Sequence, residues 1–193
     1  MRPLILASAS PRRRELLAAA GFAFEVRTAN VEERADACGD PAEMVRANAL
    51  SKARAVAAAV PGALVLGADT TVALGGTVFG KPADLAEARR MLRALGGREH
   101  TVFTGVALVC AGTAAAAEIC ETLVVACRVK FRPLSDATIS RYFACVNPLD
   151  KAGAYAIQES RELIVESFEE PLSNIVGLPV EAVAPRLRAL LGG

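Results

Sequence analysis

At 193 residues with 53% hydrophobic positions, the chain can bury a sizeable core without disulfides or a structural metal. Twenty-two Lys and Arg against 21 Asp and Glu leave a net charge of +1, which excludes a global field that would draw the protein onto nucleic acid or an anionic membrane. The cysteines (Cys38, Cys110, Cys120, Cys127 and Cys145) are odd in number, widely spaced and form no CxxC, so neither a disulfide framework nor a zinc site is expected and a reducing cytoplasm fits.

No stretch reaches the roughly 18 consecutive apolar residues of a membrane span. The first residues carry Ser8, Ser10 and arginines where a secretory signal stays apolar. A soluble, intracellular protein folded as a single domain over 1–193 is expected.

In chain order, Leu4 to Ala7 is a short apolar run that reads as a buried strand. It leads into a helix over Arg12 to Ala20, with Ser10 as N-cap, Pro11 at its first position and Gly21 closing it. The first turn carries Arg12, Arg13 and Arg14. Helix N-termini hold partial positive charge and unpaired N–H groups, so cations there call for a nearby anion. Serine hydroxyls, N–H donors and guanidinium forks on one tip suggest a phosphate cradle; a solvated basic helix start is the plainer alternative.

Phe22 to Arg27 alternates like a second strand, and Asn30 to Asp40 is polar and acidic, a loop. Pro41 to Val60 predicts a long alanine-rich helix, and Ala63 to Ala68 a buried strand that stops at Asp69. Val72 to Phe79, with Gly75-Gly76 in its middle, predicts a hairpin. A helix over Asp84 to Leu95 follows, then strands His100 to Cys110 and Glu118 to Phe131 joined by a turn at Ala111 to Thr113. Ser135 opens a helix to about Cys145. Ala154 to Gln158 and Glu162 to Phe168 read as strands, and Val180 to Leu191 as a closing helix. Strands that alternate with helices early and pair directly later predict an α/β fold with a mixed, twisted sheet, its functional groups at strand ends.

Charged residues that interrupt apolar frames are the candidate site. Asp69 follows six apolar or small residues, and a carboxylate there must be solvated, paired or bound to a cation. It suits a general base or a hard-metal ligand, or else caps a turn. Lys81 in Phe-Gly-Lys-Pro suits phosphate as a mobile point charge, with an exposed turn lysine as the alternative. Lys52 lies one turn after Asn48 on the same helix face. Glu32 and Glu33 fall in the polar loop. His100 is the sole histidine, so no imidazole metal cluster arises, and no Gly-x-Ser-x-Gly elbow is present. Gln158 offers donors and an acceptor, as reading a nucleobase edge requires.

These segments together resemble the Maf family of nucleoside triphosphate pyrophosphatases, once described as septum-formation inhibitors. The resemblance rests on Leu6 to Arg13, Glu33, Ser51-Lys52-Ala53, Gly67-Ala68-Asp69-Thr70, Gly80-Lys81-Pro82, His100-Thr101-Val102 with Thr104-Gly105-Val106, Phe131 to Ser135, Asp150 to Tyr155 with Ile157-Gln158, and Asn174 to Pro179. It implies an α/β fold with a twisted mixed β-sheet flanked by helices and two lobes around a central cleft, as in inosine triphosphatase-like proteins. It implies metal-dependent cleavage of a nucleoside triphosphate to monophosphate and pyrophosphate, with Mg²⁺ or Mn²⁺ as cofactor. By the same resemblance Asp69 is the proton acceptor and, with Glu33, a metal ligand. Ser8, Ser10, Arg13, Lys52 and Lys81 bind the substrate's phosphates, and Arg12, Thr70 and Gln158 tune base selection.

The Asp-Lys-Ala-Gly-Ala-Tyr-Ala-Ile-Gln form is similar to the subfamily acting on dTTP and UTP, with modified nucleotides a further candidate. One departure is Glu159, where the family usually has glycine after the glutamine. A cytoplasmic homodimer is implied, with no nucleic-acid or membrane partner. The alternative reading is a nucleotide sensor regulating division and septum formation without essential hydrolysis. Nucleic-acid binding through Arg2 and Arg12 to Arg14 ranks below both, for lack of a basic stripe.

Overall fold

The computed structural model describes residues 2–28, 30–34, 39–112 and 118–192. Cys38, the middle of the polar 30–40 loop and Thr113 of the expected turn lie outside them.

Strand β1 (Leu4–Leu6) is wholly buried and runs into helix α1 (Pro11–Ala19), which Ser10 caps through its hydroxyl as expected. Strand β2 holds only Glu25–Val26, shorter than the alternating 22–27 pattern predicts, because both residues are exposed and only this pair meets β1. Helix α2 (Pro41–Ala57) starts at Asp40, whose side chain accepts from the Ala42 N–H. It buries Val45, Ala49, Ala53 and Val56 at helical spacing.

Strand β3 (Leu64–Leu74) turns through Gly75 and Gly76, both at positive φ, into β4 (Thr77–Phe79), the expected hairpin. Helix α3 (Leu85–Leu95), strands β5 (Glu99–Cys110) and β6 (Ile119–Phe131) and helix α4 (Asp136–Cys145) follow as read from the sequence. Strand β7 (Val165–Phe168), shorter than the expected 162–168 run because Arg161–Leu163 form a 3₁₀ turn, the short helix α5 (Leu172–Val176) and α6 (Val180–Leu191) follow. Pairing gives one open sheet in the order β2-β1-β3-β5-β6-β7, with β4 on β3. β1 is parallel to both neighbours and the remaining pairs are antiparallel.

Two expectations change. β3 does not stop at Asp69 but continues five residues beyond it, because β5 pairs with it without interruption from Val65 to Ala73. Asp69 is therefore a mid-strand residue. Ala154 to Gln158 is not a strand: Ala152–Ala154 form a 3₁₀ turn in which Gly153 (φ 67°) and Ala154 (φ 63°) are both left-handed. Two such residues in succession cannot continue a pleat. The Tyr142 hydroxyl accepts from the Ala156 N–H and donates to the Ala156 carbonyl, standing where a neighbouring strand would. Tyr155, Ala156 and Ile157 are all buried there, with Gln158 exposed.

The helices cover both faces of the sheet. On one face Ile5, Val65, Ala107 and Val109 pack on Ala49, Ala53 and Val56 of α2. On the other, Leu4, Leu6, Leu64, Leu66 and Leu108 pack on Leu17 of α1 and Val183 and Leu187 of α6. A third apolar group gathers Leu92, Phe131, Tyr142, Tyr155 and Ile157 around α3 and α4.

One feature of the pairing places the site. β5 occupies one edge of β3, while β1 takes Leu64 to Leu66 and β4 takes Val72 to Leu74 on the other. Gly67 to Thr71 are left without a strand on that second edge, at the carboxyl end of β1. Open sheets leave their binding crevices at such breaks in order.

Candidate active site

The break opens onto a cleft of about 670 Å³. Ser8, Ser10, Arg12, Arg13, Glu33, Lys52, Asp69, Thr70, Lys81 and Gln158 all line it. The ten residues singled out in the sequence, spread over 150 positions, thus reach one cavity. Val72, Tyr155 and Ala156 of the third apolar group also line it, as do Ala7 and Met44 from the other side.

Asp69 points toward α2. That helix can approach because β3 and β5 carry glycine beneath it: a Cβ at Gly67 would stand 2.3 Å from the Ala49 carbonyl oxygen, and one at Gly105 would stand 2.4 Å from that of Val45. Gly105 pairs directly with Asp69 across the strands. The near contact of helix backbone and sheet brings Asn48 and Lys52 onto the carboxylate. Lys52 Nζ donates to Asp69 Oδ1 at 2.7 Å and Asn48 Nδ2 to Oδ2 at 2.9 Å. Lys52 also lies 3.0 Å from Glu33 Oε1, so one ammonium holds two carboxylates.

Asn48 reaches further. Its amide also donates to the Arg34 carbonyl at 3.1 Å and its oxygen accepts the Arg34 N–H at 2.9 Å, which fixes the backbone beside Glu33. Burial works against charge on Glu33, but the hydrogen bond and field of Lys52, with Lys81 and Arg13 farther off, outweigh it and hold the carboxyl below its usual range. Lys52 and Asp69 are themselves about nine-tenths buried.

The neighbouring residue, Thr70, faces the opposite layer, as strand alternation requires. Here Arg13 is held by the protein itself. Its Nε donates to the Gly177 carbonyl at 2.8 Å, Nη1 to Ser8 Oγ at 3.2 Å and Nη2 to Thr70 Oγ1 at 3.0 Å. Thr70 in turn meets Thr104 Oγ1 at 3.0 Å, and Thr104 donates to the Asn174 carbonyl at 2.9 Å. Burial pushes the Arg13 guanidinium below its usual pKa, with Asp69 pulling against that shift. Three of the five guanidinium N–H groups are engaged, leaving two for a ligand.

The expected phosphate cradle at α1 is smaller than the sequence suggests. The Arg13 N–H bonds Ser10 Oγ and the Ser10 N–H bonds Ser8 Oγ. Part of the anion that three arginines call for is internal: Arg12 pairs with Asp150 at 3.3 Å. Lys151 is buried beneath that pair, donating to Asp150 and the Asn147 carbonyl at 2.8 Å each, and lies 3.7 Å from Glu159. Ser160, next along, is left-handed at φ 49°, a conformation that glycine adopts without strain.

Thr104 and Asn174 stand in family motifs of the sequence but were given no place in the site; Asn174 is fully buried on α5, a helix too short to show a period. The signal available was glycine: Gly67 and Gly105 interrupt strands that otherwise read as solid apolar core, the mark of close backbone approach. His100 does not line the cleft; it bonds Tyr155 at 2.9 Å inside the third apolar group.

Glu33 and Asp69 present hard oxygen donors with no sulfur or imidazole beside them. Mg²⁺ or Mn²⁺ fits such a pair, because these ions take one or two carboxylates and fill the remaining positions with phosphate oxygens and water. No cluster of three or more His, Cys, Asp or Glu is present among the described residues, so a cage built from protein alone is not formed.

An open mixed sheet with acids and cations opposed across a break in strand order defines an α/β protein equipped to hold a polyanion and a hard cation together. The Maf-like protein family matches residues 3–190, and the chain belongs to that family. It is 51% identical over 185 residues to a dTTP/UTP pyrophosphatase of Anaeromyxobacter dehalogenans, covering 96% of this chain and 92% of that one. It is 52% identical over 188 residues to a dTTP/UTP pyrophosphatase of Myxococcus xanthus, with the same coverage. Among solved structures, a nucleoside-triphosphatase / dITP/XTP pyrophosphatase of Mycobacterium abscessus aligns over 98% of this chain and 97% of that one, at 17% identity and a TM-score of 0.44. No helix among the described residues is long and apolar enough to cross a membrane.

Proposed function

We propose that this chain is a nucleoside triphosphate pyrophosphatase that converts dTTP and UTP to the monophosphate and pyrophosphate. The observation that carries the reading is the buried Asp69 bound at 2.7 Å by Lys52, whose ammonium also lies 3.0 Å from Glu33, in the same cleft as Arg13 and Lys81. Its relatives' activity toward dTTP and UTP supports the choice of substrate. A sensor that bound a triphosphate without cutting it would be weakened by two carboxylates beside its cations, so that alternative is not favoured.

Lys52 and Lys81 grip the phosphate tail as mobile point charges, and Arg13 adds the two N–H groups its own contacts leave free. Arg12, Thr70 and Gln158, which line the same cleft, face the nucleoside. Ser8 and Ser10 shape the α1 tip around the phosphates. Asp69 orients a water and takes its proton as the oxygen attacks the α phosphorus in line, and pyrophosphate leaves against Lys52 and Lys81. A divalent ion held by Glu33 and Asp69 would neutralise phosphate charge and polarise the P–O bonds. A cytoplasmic setting and a homodimer complete the reading.

Incubation with UTP or dTTP and Mg²⁺ or Mn²⁺ should release monophosphate and pyrophosphate in equal amounts. Release of orthophosphate and a diphosphate, or intact nucleotide, would contradict the assignment.

A further inference from the structure

We infer that Asn48 is the positioning residue that assembles the acid pair, and so sets the affinity of the cleft for a divalent cation. The inference rests on the proposed reading of Glu33 and Asp69 as ligands of one ion. Those two carboxylates come from distant parts of the chain. Asp69 sits on rigid β3, whereas Glu33 lies in a segment with no regular structure.

Among the described residues, two side chains join them. Lys52 contacts both carboxylates directly, at 2.7 and 3.0 Å. Yet Lys52 is also a phosphate ligand in the proposed reaction, and an ammonium between two acids excludes a cation from the space between them. It must leave that position when metal and polyphosphate enter.

Asn48 has no such conflict. It is 4% exposed and binds the outer oxygen of Asp69, Oδ2, leaving Oδ1 to Lys52. Its amide closes a two-bond ring with the Arg34 N–H and carbonyl, at 2.9 and 3.1 Å, so the backbone one residue from Glu33 is tied to the same side chain as Asp69. A carboxamide is also the right chemistry. It donates to Asp69 and accepts from Arg34 while adding no charge; a carboxylate here would repel Asp69 and a lysine would repel the ion. The pair therefore keeps its separation after Lys52 turns away.

The test is Mn²⁺ binding followed by electron paramagnetic resonance on wild type, Asn48→Ala, Glu33→Ala and the double variant, without nucleotide. Asn48→Ala should weaken Mn²⁺ about tenfold, and in the Glu33→Ala background it should cost clearly less than that, because part of its effect runs through the Glu33 segment and part through Asp69. Amide exchange at Arg34 should quicken in Asn48→Ala. Asn48→Leu, which fills the same space on the buried helix face, should behave alike and serves if the alanine variant fails to fold. Unchanged Mn²⁺ affinity in the Asn48 variants, losses that multiply in the double variant, or a wild type that binds no Mn²⁺ would each overturn the inference. Pyrophosphate release from UTP by the wild type is scored separately: its absence with the binding pattern intact would sink the proposed reaction and leave the role of Asn48 standing.

Discussion

Asp69 and Thr70 are consecutive on β3 and face opposite layers, and the two sides manage charge in opposite ways. On the α2 side a buried anion is balanced by one lysine and one neutral amide, with Glu33 within the lysine's reach. On the other side a cation, Arg13, is held entirely by neutral groups: a carbonyl and two hydroxyls. The first arrangement can rearrange, since among the described residues one ammonium, Lys52, makes its direct ion pairs. The second is a strut, its guanidinium clamped from three directions. A cleft that must accept a polyanion and hold it still has use for both.

The largest expected effect lies on the rearrangeable side. Asp69→Asn should keep its far-ultraviolet dichroism and lose two or more orders of magnitude, about 100-fold or beyond, in pyrophosphate release. Near wild-type turnover would remove Asp69 from the mechanism. Lys52→Met separates stability from activity. It strands a buried carboxylate, which costs about 3–5 kcal/mol where one member of a buried pair is deleted, read from urea midpoints. Adding Asp69→Asn should recover most of that loss, because no unpaired charge remains.

His100 is a control that does not line the cleft and touches neither acid nor Arg13. Burial pushes its pKa down to about 4, against about 6.5 in an unfolded chain. From pH 6.5 down to 4 the unfolded state binds a proton that the folded state refuses, so stability falls across that window. The destabilisation totals about 3 kcal/mol, absent above pH 6.5 and complete below 4. As the sole imidazole, His100 gives one ring signal to follow by magnetic resonance; titration near 6.5 would contradict the burial argument.

Gly105→Ala tests the close approach that seats α2. Its Cβ would stand 2.4 Å from the Val45 carbonyl oxygen, and such overpacking costs about 1–3 kcal/mol. If the helix shifts instead of the strand, kcat/KM falls with stability. The smallest effect is expected at the rim: Arg12→Gln removes the partly exposed ion pair with Asp150 but leaves Asp150 to Lys151, and should change stability by under about 1 kcal/mol, while raising KM.

Much of this was legible in the sequence, for particular reasons. α1, α2 and the β3–β4 hairpin announce themselves through Ser10-Pro11, Asp40-Pro41 and Gly75-Gly76, local chemistry that needs no partner to act. The ten candidate residues, which all line the cleft, stand out in the sequence because each breaks an apolar frame or sits in a family motif. The continuation of β3 beyond Asp69 was not legible, since Asp-Thr-Thr reads as an exit unless the pairing with β5 is known. Ala154 to Gln158 alternates like a strand, yet Gly153 and Ala154 take positive φ and Tyr142 supplies the hydrogen bonds, and that partner lies a dozen residues upstream. The strut around Arg13 was equally hidden, because Thr104 and Asn174 are ordinary polar residues until the fold brings them together.

The central claim is that the acids and cations at this break in the sheet direct water onto the α phosphorus. Hydrolysis of UTP in H₂¹⁸O, with products resolved by mass spectrometry, tests it most directly. The account predicts one ¹⁸O in the monophosphate and none in pyrophosphate; label in pyrophosphate would place the attack on the β phosphorus and contradict it.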